Sequence, residues 1–354
     1  MGANLLIAAA SLLLPLPQLD TTDHRQHPSS GIGYERLSDA VSYDRVQGLA
    51  LGLGYRLVLP LAFTVTYATV RYGLSDERIG GRVSIGRELR QGYLRLSGYS
   101  DLADVDPMAA GHTISNTLNA LFAGHDNGDY AWDRGASLTW ETRVTKALSL
   151  ELAASVEDRS SIARAARSAI NDFLGGSGLF PPNPSIREGT FGFLSAGLHR
   201  GGRNRWSLTL DGTVGPGPSV GRVFGTLQRS VLSRPGVTVR LKSGISTEPG
   251  LPQTLFRLGG INTVRGFEYG IRQAPAFWAA QADLTLLRGR FRPIVFVDVG
   301  QAAATRDLLS SQALVGIGAG LALLRGLFRC DLSRPLSPDQ DGKLRFDLML
   351  QGEW

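Results

Sequence analysis

The segment Phe296-Val297-Asp298-Val299-Gly300 narrows what this 354-residue chain can fold into more than any other. Successive residues of a strand point to opposite faces. Val295, Val297 and Val299 therefore form an unbroken apolar face, back to back with Phe296, Asp298 and Gly300. A carboxylate opposite a continuous valine face is out of place in a water-soluble sandwich. It suits a transmembrane barrel, with lipid outside and a polar lumen inside. The same period of two recurs along the chain. Trp206, Leu208 and Leu210 oppose Ser207, Thr209 and Asp211; Val237, Val239 and Leu241 oppose Thr238, Arg240 and Lys242. At the end, Phe346, Leu348, Leu350 and Trp354 oppose Arg345, Asp347, Gln351 and Glu353. No apolar run of ~18 residues follows the N-terminus, which excludes a helical membrane protein. Mean hydropathy near zero is what a barrel shows when its apolar residues occupy alternate positions.

Upstream of that strand lies a loop of mixed character, Pro252 to Gly270. Gly259, Gly260, Gly266 and Gly270 argue against a long strand, because glycine weakens strand interiors and marks close backbone approach. Val264, Phe267 and Tyr269 are too apolar for a freely solvated loop, so the segment is expected to pack against something with Arg265 at its tip.

The tetrad Val264-Arg265-Gly266-Phe267, the preceding Leu-Gly-Gly and the later Phe296-x-Asp298-x-Gly300 resemble the two signature motifs of the bacterial surface antigen superfamily. These are the outer-membrane barrels of the BAM and TAM insertases, two-partner-secretion transporters and chloroplast Toc channels. The resemblance covers about Gly236 to Trp354; Tyr43-Asp44-Arg45-Val46-Gln47-Gly48 is a weaker echo of the start of such barrels. It implies that Arg265 sits on the sixth extracellular loop, that this loop folds back into the lumen, and that Arg265 pairs with Asp298 on the inner wall. Glu268, next to the tetrad, and Asp283, at inward parity with Gln281 and Thr285, are competing partners. A chain ending on an aromatic at its lipid-facing parity also resembles the signal read by barrel-insertion machinery, which assigns that role to Phe346, Leu348, Leu350 and Trp354. Trp354 equally suits an interfacial belt.

Alternation and turn signals predict sixteen strands between residues 32 and 354. The fold expected is all-β: a transmembrane antiparallel β-barrel with an extracellular loop folded into the lumen. Two arguments support the count. Both termini in the periplasm require an even number. In this register the three long segments, 103–131, 159–189 and 247–275, all fall outside, while the other turns are short. Before the barrel, residues 1–18 resemble an atypical signal peptide, with an apolar core from Leu5 to Leu16 and no charged start. Residues 19–31 are expected to form a periplasmic lead-in, and residues 32–354 the barrel. Ser161 to Leu174 has helical spacing that suits a short surface helix or a loop lid, ended by Pro181-Pro182.

The net charge of +6 is nearly all arginine, with lysine only at 146, 242 and 343. These cations are scattered singly, without a basic run or stacking platform, so nucleic acid is not an expected partner. Lumen lining and contacts to outer-membrane lipid and lipopolysaccharide phosphates suit them better. Cys330 stands alone, which leaves no disulfide framework or thiolate metal site. His112 and His125 suit a capped extracellular loop better than a metal site, and Asp101, Asp104 and Asp106 a solvated loop edge better than a calcium site. Gly316-x-Gly318-x-Gly320 lacks the strand–helix unit of a dinucleotide site and reads as barrel-strand glycines. No cofactor is implied. Without a nucleophile elbow or triad, no enzyme activity is expected; a third expectation is the anchoring barrel of a split patatin-like phospholipase, with the missing serine elbow speaking against activity in this chain.

The superfamily's insertion and secretion members generally carry periplasmic POTRA domains, for which residues 1–31 leave no room, so the chain resembles the barrel alone, either a short member lacking such modules or a fragment whose N-terminal part lies elsewhere. The resemblance thus implies a barrel that assists assembly or translocation of protein or lipid, with a separate periplasmic or lipoprotein partner and a weak seam between first and last strands. The competing expectation is a passive pore or structural surface antigen without a client, with a zipped seam.

Overall fold

The computed structural model describes residues 29–350, except 60–63, 107, 109–112, 174, 203, 232–234, 288 and 337–342. The signal peptide and most of the lead-in proposed above lie outside the described residues, as does Trp354. Seventeen strands form one sheet. The first are β1 (Gly31–Ile32), β2 (Val41–Asp44), β3 (Gly48–Leu59), β4 (Thr64–Gly73), β5 (Ile79–Leu89) and β6 (Gly92–Asp104). Then come β7 (Tyr130–Thr145), β8 (Leu148–Ser161), β9 (Gly189–Arg200), β10 (Asn204–Val214), β11 (Val220–Val231) and β12 (Gly236–Ser246). Two short strands, β13 (Phe256–Leu258) and β14 (Arg272–Ala274), form a separate ribbon. The wall resumes with β15 (Ala276–Thr285), β16 (Arg292–Ala303), β17 (Leu314–Leu323), β18 (Phe328–Pro335) and β19 (Arg345–Leu350).

β1 and β2 both pair with β3 and are two pieces of one stave, which gives a wall of sixteen staves. From β2 to β19 each stave pairs antiparallel with the next in the order of the chain. The molecule is a transmembrane antiparallel β-barrel, with short turns at one end and long loops at the other. Leu53, Val156 and Leu194 are more than 60% exposed, as a lipid-facing surface requires. Val295 and Val297 lie on the same outer face, while Phe296 and Asp298 are buried inside.

The break in the first stave follows from its register. Ile32 faces Tyr55 and Val41 faces Leu51, so nine residues run against four and five are looped out. The extra length crosses the inner face of β3. A Cβ on Gly52 would lie 1.9 Å from the Asp39 carbonyl oxygen, and one on Gly54 2.5 Å from the Tyr34 ring. Glu35 accepts from Ser84 Oγ at 3.0 Å across the lumen. Of the helix expected over Ser161–Leu174, only α2 (Ala169–Phe173) forms; residues 162–168 are irregular, and Ser168 Oγ donates to the Ala120 carbonyl of another loop at 2.5 Å. The loop between β6 and β7 carries the earlier helix α1 (Ile114–Leu118), continued by a wider helical turn over Asn119–Ala123. Thr113 caps its start by accepting from the Asn116 amide.

Candidate functional site: the lumen plug and the seam

The loop from 247 to 275 folds inward. Its ribbon carries a glycine-rich hairpin closed by Gly260 N–H donating to the Phe267 carbonyl at 3.1 Å. Val264 and Phe267 are buried and pack with Phe256, Leu258, Phe277 and Leu314 in an apolar cluster inside the wall. Gly266 has φ +91°, and a Cβ there would stand 2.7 Å from the Arg334 carbonyl carbon. A Cβ on Gly300 would press on Leu258 and Val264 at 2.9 and 3.1 Å.

Arg265 reaches the inner wall. Its Nε and Nη2 donate to the two Asp298 oxygens, each at 2.7 Å, and its backbone N–H donates to the same carboxylate at 2.9 Å. The planar fork matches the carboxylate, as charge-assisted bidentate pairing requires. The guanidinium also donates to Asp283 at 2.9 Å and Asp331 at 3.1 Å, and lies 3.7 Å above the centroid of Phe296. Arg329 joins Asp283 to Asp331, and Arg240 donates to Asp283 at 2.7 Å. Three arginines and three aspartates thus balance around one point. Glu268 is exposed and takes no part. The inward glycines of β17 make the space. A Cβ on Gly316 would lie 2.0 Å from the Arg265 carbonyl oxygen, on Gly318 2.3 Å from the Phe296 ring, and on Gly320 1.9 Å from an Asp331 oxygen.

A second hub lies at the end of β2. Asp44 accepts from the amides of Val46 and Gln47, forming a tight turn. Arg45 donates to Asp126 from its amide at 2.7 Å and its Nε at 3.2 Å. Asn116 Nδ2 and Tyr130 Oη also donate to Asp126, each at 2.9 Å. Asp101 and Asp106 are buried here, not at a solvated edge: Asp101 accepts from Arg71 at 2.8 Å and Asp106 from Tyr269 Oη at 3.1 Å. His112 lies outside the described residues. Burial, with Arg345 as a further cause, holds His125 well below the ordinary imidazole value.

β2 and β19 are the two ends of the run of paired staves. Among the described residues no ladder of paired residues joins these two staves. The α1 segment bridges them instead. Asn119 Nδ2 donates to the Leu348 carbonyl at 2.6 Å while its Oδ1 accepts from the Leu348 amide at 2.8 Å. Ser115 Oγ accepts from the Leu350 amide at 2.9 Å, and Thr117 Oγ1 from the Tyr43 amide at 3.2 Å. Side chains thereby satisfy edge groups that a membrane would otherwise leave unpaired. Phe346 is exposed at lipid-facing parity, but Leu348, of the same parity, is buried and Leu350 half-buried. α1 lies against this part of β19, which is why parity alone misplaces them.

Toward the short turns the lumen is open: a cavity of about 1590 Å³ is lined by Glu141, Glu151, His199, Arg240 and Lys242, with Met108 and Asn262 above. Sequence reasoning reached Arg265, Asp298 and Asp283. It missed Asp331, Arg329 and Asn119, which stand as single polar residues in patterns that many strands and loops share.

Residues 19–184 match the model of a family of unknown function, the DUF5686 C-terminal domain. No curated protein matches the chain. Among solved structures, it is similar to BamA from Haemophilus ducreyi lacking POTRA domains 1–3, at 13% identity and TM-score 0.59, over 87% of this chain and 68% of that one. It is also similar to CdiB from Acinetobacter baumannii, at 14% identity, TM-score 0.49, and 88% and 58% coverage. CdiB from Escherichia coli gives 14% identity, TM-score 0.47, and 87% and 60% coverage. The chain spans about three-fifths of each CdiB structure. The likeness to BamA is one of fold.

Proposed function

We propose that this barrel assists the insertion or translocation of protein or lipid at the bacterial outer membrane, acting with a separate periplasmic partner and opening at the seam between β19 and β2. The observation that supports this reading is the seam's construction from side chains. A full strand ladder must be unzipped bond by bond, whereas here the bonds from the α1 segment to β19 include the Asn119 pair and the Ser115 bond, all made by side chains. Withdrawing α1 would bare two strand edges that can receive an incoming strand. In this reading the Arg265 hub is the lock that keeps the plug seated while the seam moves.

The test is a reversible clamp. Ser115→Cys with Leu350→Cys, in a Cys330→Ser background, is oxidised to tie α1 to β19, and the full chain is reconstituted in liposomes. Folding of an unfolded outer-membrane barrel client is then followed. The expected result is client folding faster than in empty liposomes, lost on oxidation and regained with reductant. Equal client folding with and without the protein would sink the reading. A steady ionic conductance, indifferent to the clamp, would point to a passive pore.

A further inference from the structure

The cations of the barrel are unevenly placed. Arg87 and Arg90 flank the turn after β5, Arg143 and Lys146 the turn after β7, and Arg200 and Arg205 the turn after β9; all six are exposed. Arg229 and Arg290 extend the series around the rim. Among the described residues of these turns the one acid is Glu88. At the opposite end, exposed arginines stand among exposed acids such as Glu77, Asp172, Glu248 and Asp307. Exposed positive charge is therefore least offset by acids at the short-turn rim.

Exposed apolar side chains interleave with the rim cations. Leu89 follows Arg87, Val144 lies between Arg143 and Lys146, Val231 follows Arg229, and Phe291 adjoins Arg290. A protein-docking patch has no need of this alternation. A membrane interface does, because aliphatic groups enter the acyl layer while the cations meet phosphate.

A second feature lies on the lipid-facing wall above the same rim. A groove of about 840 Å³, almost wholly apolar, is framed by Trp140, Leu152, Leu194 and Leu210. Its floor comes from small residues in register: Leu152 pairs with Ala196, Leu194 with Gly212, and Gly212 with Gly221. At the rim side Trp140 donates its indole N–H to the Gln91 carbonyl in the turn after β5. Arg200 shares the outer parity of Ala196, four residues nearer the rim on β9, and with Lys146 stands at the rim where the wall meets the mouth of the lumen cavity.

We propose that the rim and groove together bind an anionic phospholipid of the periplasmic leaflet, its phosphate held by Arg200 and Lys146 and one acyl chain lying in the groove. A barrel with no working seam would bind the same lipid. The experiment is native mass spectrometry of the full chain, delipidated in detergent and then given phosphatidylglycerol or phosphatidylcholine of matched chains. Wild type is expected to retain phosphatidylglycerol preferentially. Arg200→Gln with Lys146→Gln lowers that retention about fivefold for each cation removed. Gly212→Leu projects into the groove from a position where a Cβ meets nothing within 4 Å, and its heat-modifiable folded band is checked alongside. It lowers retention of both lipids while keeping the preference. Inorganic phosphate in excess is expected to displace little. Equal retention of the two lipids by wild type, unchanged retention in the variants, or displacement by phosphate alone overturns the proposal. So does salt-sensitive capture of an acidic periplasmic protein at the rim with lipid retention unaffected.

Discussion

Arg265 is the residue on which the plug depends, because it is buried among carboxylates from three staves: Asp283 on β15, Asp298 on β16 and Asp331 on β18. Truncation would leave those carboxylates with less positive charge than they need. Arg265→Ala is expected to destabilise the barrel by about 2–5 kcal/mol, read from urea titration of the folded band in detergent. Arg265→Lys should recover only part of this, since an ammonium cannot span both Asp298 oxygens while lying flat on Phe296. His125 gives a pH signature. Its native value lies well below the ordinary 6.5, so the unfolded chain binds a proton near pH 6.5 that the native chain refuses. Its contribution is therefore complete above pH 6.5 and declines as pH falls from there toward the native value. The thermal midpoint should drop on acidification through this window, and His125→Gln should shrink the drop. An unchanged slope in that variant would remove His125 from the account. Arg265 was legible because its motif is a contiguous string. Arg329 and Asp331 were not, because a single charge at inward parity looks the same whether it faces water or a guanidinium.

The elements divide in a similar way. The strands were legible because period-two alternation is a direct image of lipid on one face and lumen on the other. The first stave was harder, and the reason is its five-residue slip over Gly52 and Gly54, a tertiary contact with no local signature. The role of α1 was hidden as well, since Asn119 and Ser115 bond to backbone, which every residue carries. β17 hid its purpose in plain glycine. Gly316→Val should push the Arg265 carbonyl off the wall, and limited proteolysis of the 252–270 segment should then quicken while the strands stay protected. Asn119→Ala should speed hydrogen exchange at the Leu348 amide and leave the β7–β8 ladder unchanged. Equal exchange at Leu348 in both proteins would mean that the seam is held by something other than Asn119.

At the scale of the whole molecule, the barrel resembles a cup: filled toward the long loops and open toward the short turns through a cavity of about 1590 Å³. Wild type should conduct poorly across a planar bilayer. Arg265→Ala, by loosening the filling, should raise the conductance; equal conductance would show that the other loops seal the lumen without it.

The bond between Asn119 and Leu348 also has a meaning in time. The two residues stand 229 positions apart, and the helix is synthesised long before the strand it holds. The last stave therefore does not have to search for the first along a matching edge. It can arrive at a berth already built by the middle of the chain, one that presents an amide and a hydroxyl in place of a strand. Closure becomes a docking event at the end of a one-way assembly line. Among the described residues that closure is made by side chains on backbone, so the parting proposed for the seam would be the same docking step run backwards.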